Sequence, residues 1–315
     1  MAPDADQGAY SAGRWQVIHD RLAALPDDQL TAADLGELAA SLFWLNRPRA
    51  SIEAHRRAFR QWQIEEQPER AVRSAWHLFY EHWLVGEEVV ARGWLERARR
   101  LVATDPALAG SAADAWLGVA RADVAMAEGR LDEAVGEATA ARGIGERLGD
   151  ADLVAMALQA EGRALVAAGR GPDGLARLDD AMVSVIGNEL QPLFTGWVYC
   201  NVLSTCHAVG DLRRAGEWST AARRWCQSLR EGLLYPGLCR VYTAQLAQLR
   251  GDWRSAERDA RQACEDLAAY DQRYAGAAHY VVGEICLLQG RDDEAAAAFT
   301  RSAELGHRSE PGRAL

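Results

Sequence analysis

A turn recurs along the chain at nearly constant spacing. Asn46-Arg47, Gly86-Glu87, Gly129-Arg130, Gly169-Arg170, Gly210-Asp211, Gly251-Asp252 and Gly290-Arg291 follow one another at intervals of 40, 43, 40, 41, 41 and 39 residues. Five residues after each turn stands a small residue: Ser51, Ala91, Ala134, Gly174, Ala215, Ala256 and Ala295. Twelve residues after it stands another: Ala58, Ala98, Ala141, Ala181, Ala222, Ala263 and Ser302. A period of this length restricts the chain to a stacked array, in which each unit buries its apolar face on its neighbours.

The local physics specifies the unit. Gly, or Asn at position 46, tolerates the left-handed backbone that ends one helix and admits the next. Acids crowd the first turn of the second helix, as in Glu87-Glu88, Asp132-Glu133 and Asp292-Asp293, where they oppose the helix dipole. Pro48 and Pro172 suit that same first turn. The two small residues lie two turns apart on one face, so a partner helix can approach closely there. Pro68, Pro106, Pro192, Pro236 and Pro311 punctuate the passage to the next unit. Each unit reads as helix A, tight turn, helix B and linker, without a convincing strand.

The 315 residues therefore predict an all-α solenoid of about seven hairpins. A half unit precedes them, because Gly13-Arg14-Trp15 echoes Gly251-Asp252-Trp253. The expected organisation is a disordered tail over 1–10, one solenoid over 11–308, and the opening of a truncated further repeat over 309–315.

The turn, the small residues at both offsets, and Ala295-x-x-x-Phe299 in the last unit resemble the tetratricopeptide repeat. The period exceeds the usual one of that family, so helices or linkers are longer. Whole segments carry a second resemblance. Gly196-Trp197-Val198-Tyr199-Cys200, Arg213-Arg214-Ala215-x-Glu217-Trp218, Trp225-Cys226, Gly251-Asp252-Trp253 and Glu310-Pro311-Gly312 look like the helical repeats of large actinobacterial LuxR-type transcriptional regulators. In those proteins an ATPase module precedes the repeats and a helix-turn-helix follows. The resemblance implies a sensing or scaffolding segment, with neither module inside these residues.

Composition supports this by exclusion. All 35 basic residues are Arg, so a Walker A lysine and a Schiff-base lysine are both absent. The net charge of −10 opposes a protein that covers nucleic-acid phosphates. No apolar run is long enough to span a membrane, and the acidic N-terminus does not resemble a signal peptide. A cytoplasmic location is expected. The six Cys contain no C-x-x-C pair and read as buried thiols.

Catalytic and metal patterns are weak. His77 and His82 are five residues apart, off any common helix face, and no H-E-x-x-H occurs. Paired acids such as Glu65-Glu66 point apart on a helix, and Ser204 with His207 has no evident acid to orient the imidazole. No cofactor or metal is expected, and the chain reads as non-enzymatic.

A groove is the better candidate. Positions 13, 10, 6 and 3 residues before each turn are expected on the concave face of the A helices. They are Arg73, Trp76, Tyr80 and Trp83 in the second unit; Trp116, Val119, Asp123 and Met126 in the third; and Met156, Gln159, Arg163 and Val166 in the fourth. The fifth supplies Trp197, Cys200, Ser204 and His207, and later units add Gln245, Tyr280 and Glu284. Large aromatics with a few polar groups make a binding surface. The same Trp residues also suit packing between helices, and sequence alone leaves both roles open. A charge among aromatics, as at Asp123 or Arg163, needs a partner in the protein or a ligand.

The expected function is a binding or scaffold module, the sensor segment of a bacterial transcriptional regulator, taking a peptide, protein or small effector in its groove. The alternative is a stand-alone small-molecule-binding or catalytic protein on the same scaffold. Direct nucleic-acid and membrane binding are not expected, and a homo-oligomer is compatible with the array.

Overall fold

The computed structural model describes residues 14–229, 234–268 and 272–307. The expected tail over 1–10 and the expected repeat start over 309–315 lie outside the described residues. Within them the chain is helical, with fifteen α-helices, one 3-10 turn and no strand.

The half unit is α1 (Trp15–Ala23). Seven A/B hairpins follow. They are α2 (Ala32–Trp44) with α3 (Pro48–Ile64), α4 (Pro68–Leu84) with α5 (Glu88–Thr104), and α6 (Ala112–Ala127) with α7 (Leu131–Leu148). Next come α8 (Ala151–Ala167) with α9 (Gly171–Ile186), and α10 (Pro192–Ala208) with α11 (Leu212–Ser228). The last are α12 (Leu234–Leu249) with α13 (Trp253–Leu267), and α14 (Gln272–Leu288) with α15 (Asp292–Glu304).

The turns explain the period. Asn46 and the six turn glycines have φ between 57° and 79°. The next residue then donates its backbone N–H five residues back, as from Arg47 to Leu42 O and from Arg170 to Leu165 O, both 2.9 Å. All seven turns repeat this bond, at 2.8–2.9 Å, so each A helix ends on a satisfied carbonyl and the chain reverses in the same way. Side chains also cap several of the helix starts. Thr31 and Asp34 form a reciprocal capping box on α2, while Asp150, Asp211 and Asp252 cap α8, α11 and α13.

The small residues at both offsets are buried in every unit, which lets each B helix settle against its A helix. The fourth unit is the tightest. A Cβ on Gly174 would lie 2.5 Å from Gly162 O and 2.8 Å from Val166 N, so α8 and α9 touch backbone to backbone.

Charge fastens successive units. Buried Glu161 on α8 accepts from Arg142 Nε on α7 at 3.0 Å and from Arg177 Nε on α9 at 3.1 Å. Arg214 on α11 reaches back to Asp179 on α9, and Arg291 to Glu257 on α13. The guanidinium fork holds two oxygens at once, which a lysine ammonium does less well.

The array curls until distant units meet. Asn46 Nδ2, in the first turn, donates to Asp266 O on α13 at 3.1 Å. Tyr80 on α4 meets Trp197 on α10 edge to face, with ring centroids 4.5 Å apart. Phe194 on α10 likewise packs on Trp116 of α6, at 4.9 Å. The concave side is thus a half-open channel bridged by these contacts.

Two stability outcomes follow from this packing. Gly174→Ala should destabilise the protein by about 1–3 kcal/mol, because the added methyl meets backbone that cannot yield; urea unfolding measures it. Glu161→Ala should lower stability by about 1.5–3 kcal/mol, the range for hydrogen bonds to charged groups, seen as a fall in the same midpoint.

Candidate functional site

One register position builds the channel wall. The residues six before the turn in units two to six, Tyr80, Asp123, Arg163, Ser204 and Gln245, all line one cavity of about 450 Å³. Every A helix contributes to it, from Phe43 on α2 to Tyr274 on α14, and His307 closes it beyond α15. A 3.6-residue helix carries the same offset to the same face in each unit, so the ring is a direct product of the repeat.

Its polar centre is a chain of bonds across three units. Tyr80 donates its hydroxyl to Asp123 Oδ2 at 2.7 Å, and Arg163 Nη1 donates to Asp123 Oδ1 at 2.9 Å. Arg163 also reaches Gln159 Oε1 at 3.4 Å, while Gln159 Nε2 donates to Met156 O. Burial, reinforced by the Asp123 charge, holds the Tyr80 hydroxyl far above its usual pKa, so it stays a donor. On the opposite wall, Gln245 Oε1 is buried without a hydrogen-bond partner. His207 is held below its ordinary pKa by burial, against the opposing pull of Glu284, and is neutral at physiological pH.

The structure divides the residues expected from sequence. Tyr80, Asp123, Arg163, Trp197, Ser204, His207 and Gln245 converge on this cavity. Arg73 and Trp76 line a neighbouring one. Four residues line neither cavity. Trp116 is buried, with its ring edge to face on Trp76 at 4.9 Å and the Arg73 guanidinium 3.8 Å over it. Gln159 is 0% exposed. Tyr280 packs on Phe299 and His307, and Glu284 accepts from Gln248 Nε2 at 3.1 Å. Trp116 and Glu284 thus meet adjacent A helices, Gln159 bonds within its own helix, and Tyr280 packs against α15 and His307. Asn201 and Tyr242, nine residues before their turns, reach the cavity although the simple offsets omit them.

Beneath α4 lies a second polar group of residues. Glu81 Oε1 is 2.9 Å from Ser51 Oγ and 3.3 Å from His55 Nε2, and His55 stacks on His77 with ring centroids 4.6 Å apart. Burial raises the Glu81 carboxyl to about 8 and lowers His55 to about 3. His77 is also held low, by burial and then by His55.

Metal-type chemistry has one geometric candidate among the described residues. Glu257, Cys286 and Glu294 place a donor atom each within 4.8 Å. Arg261 and Arg291 bond both carboxylates there, so the cluster is an ion-pair network between α13 and α15. The six cysteines are free thiols, with Cys226 and Cys239 Sγ 3.3 Å apart. No helix among the described residues is long and apolar enough to cross a membrane.

No family model matches the sequence, and no curated protein matches it. Solved structures do match. A Rap protein complexed with Competence and Sporulation Factor aligns at a TM-score of 0.67 and 10% identity, over 93% of this chain and 79% of that one. The hetero-tetramer Cut9-Hcn1 aligns at 0.63 and 14% identity, over 91% of this chain and 49% of that one. A signal-transduction ATPase with a tetratricopeptide-repeat sensor, from Pyrococcus horikoshii, aligns at 0.51 and 14% identity, over 92% of this chain and 44% of that one. Likeness at this identity is likeness of fold, and the fold is a tetratricopeptide-like α-solenoid.

The Glu81 cluster has a signature in pH-dependent stability. Glu81 keeps its proton to about pH 8 when folded, against 4.5 when unfolded, so its contribution falls as pH rises through that window. His55 titrates at about 3 when folded against 6.5, so its contribution rises with pH up to 6.5. The two oppose each other below pH 6.5, which leaves a net fall from there to about pH 8. The slope is at most about 1.4 kcal/mol per pH unit, and Glu81→Gln should flatten it in thermal melts across that range.

Proposed function

We propose that the chain is a non-catalytic binding module that holds a small effector, or the end of a peptide, in the cavity lined by its A helices. The finer reading is the sensor segment of a cytoplasmic bacterial transcriptional regulator. The observation that carries the binding role is the 450 Å³ cavity, into which Arg163, Ser204 and Gln245 converge from separate units. That volume falls in the range of small-molecule pockets. Gln245 Oε1 is an unmet acceptor on its wall, which a ligand N–H or O–H satisfies.

A bridge across the channel favours a compact occupant over an extended one. The contact between Tyr80 and Trp197 bridges the channel, so an extended segment has no continuous groove to follow. Two considerations support the regulatory assignment. The segments around Trp197, Trp218 and Trp253 look like LuxR-type helical repeats. A signal-transduction ATPase of the same fold is described as having a tetratricopeptide-repeat sensor, a pairing of ATPase and repeats like the one this resemblance implies.

Trp83 and Trp197 line the cavity, so its occupation should alter tryptophan emission. A panel of metabolites and short peptides, screened by emission and by thermal shift, should yield a ligand that raises the melting temperature. Arg163→Ala should weaken that ligand at least about tenfold in calorimetry, a cost of about 1.4 kcal/mol, with helical content unchanged. Unaltered affinity in that variant overturns the assignment.

A further inference from the structure

A second cavity, of about 390 Å³, lies among α2, α3, α4 and α10. Trp44, Trp62, Trp76 and Trp197 contribute its walls, and it shares only Phe43, Tyr80 and Trp197 with the first. Glu81 and His55 line it, at 3% and 5% exposure. Each has a buried atom without a hydrogen-bond partner, Glu81 Oε2 and His55 Nδ1. A buried polar atom left unmet costs about 1–3 kcal/mol, and two of them at one aromatic-walled cavity mark a place prepared for a hydrogen-bonding occupant.

The bonding on the far side defines their state. Ser51 Oγ is 2.9 Å from both Ala39 O and Glu81 Oε1. A hydroxyl has one hydrogen, so when it donates to Ala39 O the second bond is completed by the acid's own proton. A carboxyl raised to about 8 carries that proton at neutral pH, and His55, lowered to about 3, is uncharged. Oε2 is then a carbonyl-type acceptor. Nδ1 of a neutral imidazole donates or accepts according to its tautomer.

The charged side chains around Glu81 are Arg70 and Arg73 on α4 and Glu37 on α2, with His55, His77 and Tyr80 the other titratable groups. Glu37 pairs with Arg21 at 3.2 Å. Arg70 lies 4.7 Å over the Trp62 ring and Arg73 3.8 Å over that of Trp116. An ammonium ligand meets two guanidinium charges, and a carboxylate ligand finds two acceptor-type atoms in Glu81 Oε2 and one tautomer of His55 Nδ1. A primary amide supplies both a donor and an acceptor without charge.

We propose that this cavity binds a small, uncharged, flat-ringed molecule through a primary amide or an equivalent donor–acceptor edge, which pairs with Glu81 Oε2 and His55 Nδ1 while the ring lies among the tryptophans. The site lies apart from Arg163, so this assignment and the one for the first cavity fail independently.

Three probes with one ring and different head groups test it: benzamide, benzoate and benzylamine, each titrated into the full chain at neutral pH and followed by ligand-observed NMR. Benzamide is expected to bind at least about tenfold more tightly than either charged analogue. Glu81→Gln keeps an uncharged donor–acceptor group and should retain benzamide, whereas Glu81→Leu should lose it at least about tenfold. Should Glu81→Leu fail to fold, the pH profile decides: an N–H donated to Oε2 is held more strongly once Glu81 ionises, so benzamide affinity should rise from neutrality to about pH 9 in the parent chain and stay level in Glu81→Gln. Benzoate or benzylamine binding as tightly as benzamide overturns the proposal. So does a profile shared by parent and Glu81→Gln, or no binding by any probe up to about 10 mM.

Discussion

How closely each B helix approaches its A helix is set by one side chain, the residue five past the turn. Ala91, Ala134, Ala215 and Ala256 there are buried, and in the fourth unit the residue is Gly174 against Gly162. Helices this close can rotate together from one unit to the next, and that rotation curls the array until its first turn meets α13. The channel, its volume and the convergence of residues from separate units all depend on that approach. A larger residue at this offset would push that unit's B helix away from its A helix.

The repeat made the architecture legible. The seven turns, the small residues at both offsets and the half unit led directly to the hairpins, because each reflects a local requirement: left-handed backbone, close contact, a helix start. The −6 offset was equally readable, since Tyr80, Asp123, Arg163, Ser204 and Gln245 share one helical phase. What sequence could not reveal depends on distant units meeting. Trp116 and Gln159 have the expected phase but are buried away from the cavity, and Phe43 and Tyr274 enter the cavity wall from opposite ends of the array. Glu81 and His55 passed unnoticed as sites because a single acid on an A helix and a single histidine on a B helix carry no pattern; only packing brings them to 3.3 Å.

The interior separates two kinds of polar chemistry. Around Asp123 the charges remain and are balanced, with Arg163 and the Tyr80 hydroxyl both bonded to the carboxylate. Around Glu81 no arginine among the described residues bonds the carboxyl, and burial removes the charge instead. Desolvation selects between these outcomes according to whether a guanidinium is within reach. Arginine serves this purpose throughout the array, from Glu161 to Glu257, so a chain without lysine still has its internal carboxylates clamped.

The bond from Asn46 to Asp266 joins residues 220 positions apart. In an open solenoid, stability is a sum of terms between adjacent units, and either end can fray without the other responding. Here the first turn and α13 touch directly. The contact adds a term between units far apart in sequence that an open solenoid lacks, so fraying at the first turn also costs α13 a partner.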